Sequence, residues 1–206
     1  LSGGDLYKYL GWMGSSADRA VPYTFPHQMG FVEKPSSGMT DFILEPYIAC
    51  DSIEIVRQQL HHCSYRGWVE LTVGVLEKEQ NYQSLTPSLS VAEGSVLTVE
   101  EKFQGGTGVN LTPPPEEILS KEQVASVQRQ VELVAQTLGL VNYARVDLFF
   151  NRFSYEVILI EVNTLPALTP STVLYHQALA STPPLFPTNF LEQLVEHACL
   201  RFDTAQ

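Results

Sequence analysis

The sequence has few cysteines, few cations and no long apolar run. Its three cysteines, Cys50, Cys63 and Cys199, include no CxxC pair. Neither a disulfide framework nor a zinc site is therefore predicted, and a cytoplasmic, reducing location is expected. The longest apolar stretches, such as residues 157–160, have the length of a strand. No membrane-spanning helix is expected, because such a helix needs about 20 apolar residues.

The charge balance is acidic. Lysine and arginine number 12 against 23 aspartates and glutamates, which gives a formal net charge of −11. This balance argues against binding nucleic acid through a basic face. It leaves anionic small molecules open, because a few local cations suffice to hold a nucleotide. A length of 206 residues with 44% hydrophobic content predicts one domain or two small lobes that share a cleft.

Strands and helices alternate irregularly along the chain, which predicts an α+β (or α/β) fold. The clearest helix begins at Ser120, where Gln123 completes a capping box, and ends at Gly139. Its predicted apolar stripe is Val124, Val127, Val131, Val134 and Leu138. The other predicted elements are strands over 31–35, 42–45 and 68–76, helices over 52–63 and from 188 or 189 to 201, and a hairpin of 143–150 with 155–163. The chain begins with Leu1 and shows no signal peptide, so we expect an excised or incomplete chain.

The predicted hairpin carries the chemically distinctive residues. Side chains alternate between the two faces of a strand. On the first strand, Arg145 and Asp147 therefore lie on one face and an apolar set lies on the other. On the second strand, Glu161 and Asn163 share one face, and the other face carries Ile158, Ile160 and Val162. If the apolar faces coincide, the four polar side chains converge, and paired residue numbers across the hairpin sum to an even number.

Two interpretations of this polar patch stay open from the pattern alone. Two carboxylates and a carboxamide are hard oxygen ligands that suit Mg²⁺, and a nearby arginine can neutralise a developing oxyanion. The alternative is a solvated face with a surface salt bridge between Arg145 and Asp147.

The same residues lie in strings that closely resemble the D-alanine–D-alanine ligases of the ATP-grasp superfamily. The strings are ARVDLFF at 144–150 and LIEVNTLPALTPS at 159–171. The resemblance is good from about Trp68 to the end of the chain and patchy before it. It implies an ATP-grasp fold with two small α+β lobes around a nucleotide cleft. Residues 1–76 would form a partial small lobe and residues 77–206 the large lobe, without the family's N-terminal domain.

The resemblance implies roles around the phosphates of ATP. Asp147, Glu161 and Asn163 would hold Mg²⁺, with Mn²⁺ as the alternative ion. Arg145 would stabilise the acyl phosphate and the tetrahedral intermediate. Lys102, in the string EEKF at 100–103, would contact the γ-phosphate.

The resemblance also implies a nucleoside site. Lys34, in VEKP at 32–35, corresponds to the lysine of a strand that contacts the nucleotide. Glu45 and Ile48, in EPYI at 45–48, correspond to the hinge that holds adenine. Glu70 resembles the glutamate that binds the ribose hydroxyls.

The chain departs from the family pattern in four places. The helix that the family places between the glycine-rich loop and the hinge is missing here, and a long segment separates Glu45 from Glu70. Ala167 stands where the family usually has a glycine whose backbone donates a hydrogen bond near the intermediate. The substrate-binding serine of the family corresponds to Thr172 or, with a shift of one residue, to Ser171.

Three functions remain as hypotheses. The first is an ATP-dependent ligase that joins D-alanine to D-alanine through an acyl phosphate, for peptidoglycan precursors. The second is a degenerate or truncated ATP-grasp protein that binds nucleotide without ligation, and the third is a ligase for another amine. ATP and D-alanine are the expected partners, with no nucleic acid or membrane, and a homodimer is an open expectation. These 206 residues alone are expected to bind Mg-ATP weakly and to make little dipeptide.

Overall fold

The computed structural model describes residues 22–25, 28–31, 47–57, 59–78, 81–91 and 109–204. The chain divides into two compact units, residues 1–46 and 47–206. In the first unit, the described backbone is an antiparallel hairpin of β1 (Pro22–Phe25) and β2 (Gln28–Phe31). The predicted strand over 42–45 and nearly all of that over 31–35 lie outside the described residues. The predicted boundary between the lobes at residue 76 stays a prediction.

The second unit starts with a hairpin where the sequence predicted a helix over 52–63. It consists of β3 (Ser52–Val56) and β4 (Gln59–Cys63), so the helix prediction was wrong. Ile53 and Ile55 lie on one face of β3 and pair with His62 and Leu60 of β4. β-branched residues favour this extended pairing, which overrides the helical spacing of the apolar residues. Arg57 makes the turn with a φ of 51°.

A six-stranded sheet follows, counted over the described residues. Its strands are β5 (Trp68–Lys78), β6 (Asn81–Ser84), β7 (Ser88–Val91), β8 (Val109–Leu111), β9 (Tyr143–Asn151) and β10 (Val157–Asn163). The order is β10-β9-β5-β7-β8, and β6 pairs with the far end of β5. Every pairing is antiparallel, which confirms the α+β class. The predicted strand over 68–76 and the predicted hairpin are both present.

The described part of the second unit contains three helices: α1 (Lys121–Leu138), α2 (Val173–Leu179) and α3 (Pro187–Thr204). The capping box at Ser120 and the left-handed Gly139 confirm the predicted ends of α1. Leu138 is exposed, whereas Ala135 takes the buried position on the stripe. Helix α2 was not predicted, because seven residues are too few to show a clear helical period. None of the described helices is long and apolar enough to cross a membrane.

The two faces of the sheet are covered differently. One face packs against α1 through a core of alternate residues of β5 and β9. These residues are Val69, Leu71, Val73 and Val75 with Ala144, Val146, Leu148 and Phe150. The opposite face is partly covered by α2 and α3, which pack on Leu76 and Leu85. The rest of this second face carries the polar residues of the hairpin.

Helix α2 lies close to β5 at Gly74. A Cβ atom added there would lie 2.7 Å from Leu174 Cδ2 and 2.7 Å from Leu85 Cδ1. Both leucines are fully buried, so neither can move aside freely. Glycine at this position therefore sets the distance between α2 and the sheet.

Gly74→Ala is expected to destabilise the fold by about 1–3 kcal/mol through overpacking. Denaturant unfolding measures this cost. In a Leu174→Ala background the same change should cost less, because the second substitution removes one of the two leucine atoms that the new methyl group meets. Equal costs in the two backgrounds would contradict the close approach of α2.

Candidate functional site

The register of the β9–β10 hairpin changes along its length. Near the end of β10, Glu161 faces Asp147 and Asn163 faces Arg145, which is the predicted even-sum register. A β-bulge between Leu159 and Glu161 shifts the pairing of the earlier part of β10 by one residue. Leu159 therefore faces Leu148, and their residue numbers sum to an odd number. The bulge adds one residue to β10, which the alternating pattern does not show.

The bulge corrects the predicted apolar face of β10. Ile158 pairs with Phe149 and therefore lies on the face that carries Asp147, whereas Val157 and Val162 pack against the core. Ile160 is exposed at the bulge. The predicted apolar set was wrong at Ile158 and Ile160, although the predicted convergence of the polar residues is confirmed.

Asp147 is the centre of this polar group. It is a buried residue, and it accepts hydrogen bonds on both carboxylate oxygens. Arg145 binds it with two donors, Nε to Oδ1 at 3.1 Å and Nη2 to Oδ2 at 3.0 Å. Thr72 Oγ1, from the adjacent strand β5, donates to Oδ1 at 2.5 Å. The register places Thr72 directly opposite Asp147.

The Asn163 carboxamide lies between the two carboxylates. Its Nδ2 is 3.3 Å from Asp147 Oδ2 and 3.3 Å from Glu161 Oε1. The two oxygens thus converge on one position, and rotation of the amide by half a turn would present its oxygen there instead. This donor set of two carboxylates and one amide oxygen fits Mg²⁺ or Mn²⁺.

The charge of the group limits how it can bind a cation. Arg145 offsets one of the two carboxylates, so Arg145, Asp147 and Glu161 together carry a net charge of −1. No group of three or more His, Cys, Asp or Glu residues able to hold a metal occurs in the described ranges. A divalent ion at this position therefore needs further anionic ligands, such as the phosphates of a nucleotide.

Two of the predicted nucleoside residues are described. Glu70 lies on β5 opposite Phe149, on the same face as Asp147. Ile48 is partly buried in the segment before β3. Nearby, burial and the negative charges of Glu70 and Asp51 raise the pKa of the Cys50 thiol to about 12. The predicted residues Lys34, Glu45 and Lys102 lie outside the described residues.

The predicted substrate residues lie between β10 and α2. Ala167 and Ser171 are exposed, and Thr172 is the residue that precedes α2. Among the described residues, no hydrogen bond joins these three to the polar group around Asp147. The loop is attached to β9 through Tyr143, whose hydroxyl donates to the carbonyl of Pro166 at 3.3 Å. Burial, together with Tyr175, raises the pKa of Tyr143.

Gln177 of α2 is a supporting residue that the sequence analysis missed. It is fully buried, its Oε1 accepts from the Gly74 N–H at 2.7 Å, and its Nε2 donates to the Thr72 carbonyl at 2.8 Å. Its amide fills the gap along β5 between the pairing with β7 and the pairing with β6. The available signal was a lone glutamine next to Ala178 and three residues after Leu174, both of which are apolar and buried.

A second buried cluster surrounds Asp51, which fixes the start of the β3–β4 hairpin. Its side chain is fully buried. The groups within hydrogen-bonding distance are the backbone N–H of Tyr65, Arg66 and Gly67, Ser64 Oγ, His62 Nε2 and Arg152 Nη1. Burial alone would raise the pKa of Asp51, but the hydrogen bonds outweigh it and lower the pKa to about 2. These hydrogen bonds tie the start of the hairpin to residues 64–67 after β4 and to Arg152 after β9.

Comparison with known families decides the relationship. The family described as "D-ala D-ala ligase C-terminus" matches residues 63–196. The chain belongs to the D-alanine–D-alanine ligase family. The match confirms the resemblance seen in the sequence and begins close to where that resemblance becomes good.

Curated members of the ligase family show the same relationship. The D-alanine–D-alanine ligase of Halalkalibacterium halodurans is 32% identical over 50% of this chain and 33% of its own length. That of Nitratidesulfovibrio vulgaris is 35% identical over 54% of this chain and 35% of its own length. The chain thus spans about a third of the length of these relatives.

Solved structures show the fold. The D-alanine–D-alanine ligase of Coxiella burnetii superimposes with a TM-score of 0.53 at 21% identity, over 71% of this chain and 36% of the ligase. The Bacillus anthracis ligase complexed with ATP gives a TM-score of 0.50 at 16% identity, over 71% and 43%. The superimposed part of the chain has the ATP-grasp fold.

Proposed function

We propose that the protein is an ATP-dependent ligase that joins the carboxylate of one D-alanine to the amine of another, as a step in making peptidoglycan precursors. The observation that carries this proposal is the convergence of Asp147 Oδ2 and Glu161 Oε1 on the Asn163 amide, beside the Arg145 guanidinium. The relatives that bear the name D-alanine–D-alanine ligase support the substrate class.

The metal-binding residues of the proposed site are Asp147, Glu161 and Asn163. They would hold Mg²⁺, or Mn²⁺ in its place, and the phosphates of ATP would supply the further negative charge that the group requires. When bound, the ion would neutralise part of the negative charge on the phosphates during transfer of the phosphoryl group.

The reaction proceeds in two displacements. A carboxylate oxygen of the first D-alanine attacks the γ-phosphorus of ATP, and the bond from that phosphorus to the β–γ bridging oxygen breaks to release ADP. The amine of the second D-alanine then attacks the carbonyl carbon of the acyl phosphate. Inorganic phosphate leaves with the C–O electron pair, and the nitrogen loses a proton. Activation is needed because a carboxylate oxygen is a poor leaving group.

Arg145 is the candidate for stabilising the negative charge that develops in both displacements. Two of its guanidinium nitrogens donate to Asp147, which orients the group. Its side chain is 24% exposed, so the guanidinium is also accessible. A preorganised cation costs no reorganisation at the moment of reaction. Lys34 and Lys102 are proposed as further cations around the phosphates.

The remaining proposed roles follow the family pattern. Glu45, Ile48 and Glu70 would hold the nucleoside, and Ala167 with Ser171 or Thr172 would contact the amino-acid substrate. Ala167 favours the second candidate, a protein that binds nucleotide without ligation, because it replaces the glycine of the family pattern. A homodimer and a cytoplasmic location remain predictions.

D-alanine-dependent release of ADP, measured with detection of the dipeptide by mass spectrometry, tests the proposal. The assay uses a chain that carries the family's N-terminal part, because these 206 residues alone are expected to make little dipeptide. We expect ADP release to require Mg²⁺ and D-alanine and to be lost in Glu161→Gln. The control is Glu192→Gln, which removes an exposed carboxylate from α3. Nucleotide binding without dipeptide would favour the second candidate. ADP release with a different amine would favour another carboxylate–amine ligase.

A further inference from the structure

The hydroxyl of Thr72 contacts Asp147. Thr72 is a buried residue on β5, and its Oγ1 donates to Asp147 Oδ1 on the neighbouring strand β9. A hydroxyl has a single hydrogen to donate, and an ionised carboxylate only accepts. The direction of this hydrogen bond is therefore determined.

The lone pairs of Asp147 show what the contact does. A carboxylate offers about four acceptor positions, two on each oxygen. On Oδ1 these are taken by Thr72 Oγ1 and Arg145 Nε, and on Oδ2 one is taken by Arg145 Nη2. The fourth position, on Oδ2, accepts from Asn163 Nδ2 at 3.3 Å, and the same amide donates to Glu161 Oε1. A half-turn of that amide removes its donor and frees this position for a cation.

We propose that Thr72 is a positioning residue that, together with Arg145, saturates Asp147 Oδ1 and leaves one acceptor position on Oδ2 for a divalent cation. This inference rests on the proposed function, because it concerns the same site. Asp147 then acts as a monodentate ligand with a fixed direction.

The surroundings of Thr72 support a positioning role. As a β-branched residue, threonine has restricted χ1 rotation. The strand that carries it is held on both edges near this point, by pairing with β9 and by the Gln177 amide at the carbonyl of Thr72. The hydroxyl therefore reaches Asp147 from a rigid support.

The test compares Thr72→Val, which keeps the shape and removes the donor, with Thr72→Ser, which keeps the donor. Thr86→Val is the matched control, because Thr86 is also buried and its hydroxyl lies near Ser181 Oγ, not Asp147. The probe is Mn²⁺ titrated against the protein at fixed ATP. The readout is the rise in Tm over ATP alone, fitted for the half-saturating metal concentration.

We expect Thr72→Val to raise the half-saturating Mn²⁺ concentration by about 10-fold or more, as is typical when a group that orients a metal ligand is lost. Thr72→Ser should stay within about 3-fold of the unsubstituted protein, and Thr86→Val should leave the value unchanged. If Thr72→Val does not fold, Thr72→Ala takes its place.

A purely structural role gives a different result. Thr72→Val would then lower the Tm without metal and leave the half-saturating Mn²⁺ concentration unchanged. This result, obtained together with loss of the metal response in Glu161→Gln, overturns the inference and leaves the proposed function standing. If both Glu161→Gln and Asp147→Asn keep the metal response, the proposed function is overturned and the inference with it. The same holds if the unsubstituted protein shows no metal response.

Discussion

Asparagine in place of Asp147 is expected to abolish the stabilisation by Mg-ATP over ATP alone and to lower D-alanine-dependent ADP release by about 100-fold or more. The substitution removes a negative charge from a group whose net charge is only −1. It also places an amide NH₂ against donors that now bind a carboxylate, namely Thr72 and the fork of Arg145. Thermal unfolding with and without Mg-ATP, together with ADP release, measures both effects.

The fold should survive this change, because Asp147 lies on the polar face of β9 and contributes nothing to the core beneath α1. A circular dichroism spectrum like that of the unsubstituted protein is the check. Glu192→Gln is the control for loss of one carboxylate elsewhere. An Asp147→Asn protein that keeps its full Mg-ATP stabilisation would contradict the metal assignment.

The hairpin of β9 and β10 was predictable because its chemistry repeats along the chain. Alternation placed Arg145 and Asp147 on one face, and the same alternation at Glu161 and Asn163 gave the convergence. The capping box at Ser120 was predictable for a related reason, since both of its partners lie within one helical turn. Local patterns of this kind are fixed by neighbouring residues.

The features that were missed depend on contacts between distant segments. The bulge at Ile160 sets which residues of β10 face the core, yet residues 157–160 are a continuous apolar run that gives no sign of it. Thr72 and Gln177 take their roles from partners 75 and 105 residues away. The β3–β4 hairpin forms where a helical spacing was also present, and Ile53 gains burial in the main core by extending.

Substitution of Asp51 by asparagine is expected to cost about 3–5 kcal/mol in the free energy of unfolding, because it breaks a buried ion pair and leaves its cation uncompensated. Arg152 keeps its hydrogen bond to the Ile118 carbonyl but loses the carboxylate at 3.1 Å. Denaturant unfolding at pH 7 measures the cost. Glu54→Gln, on the exposed face of the same hairpin, is the control and should change stability by less than about 0.5 kcal/mol.

The same carboxylate predicts a dependence of stability on pH. The pKa of Asp51 is lowered from 3.8 to about 2 in the folded protein, so the folded state favours the ionised form. The contribution of this ionised carboxylate to the free energy of unfolding is therefore complete above about pH 4. It is lost as the pH falls toward 2, which lowers that free energy by about 2 kcal/mol. Unfolding free energies measured between pH 5 and 2 should fall less steeply in Asp51→Asn than in Glu54→Gln. Equal slopes in the two variants would show that Asp51 is not the group that titrates.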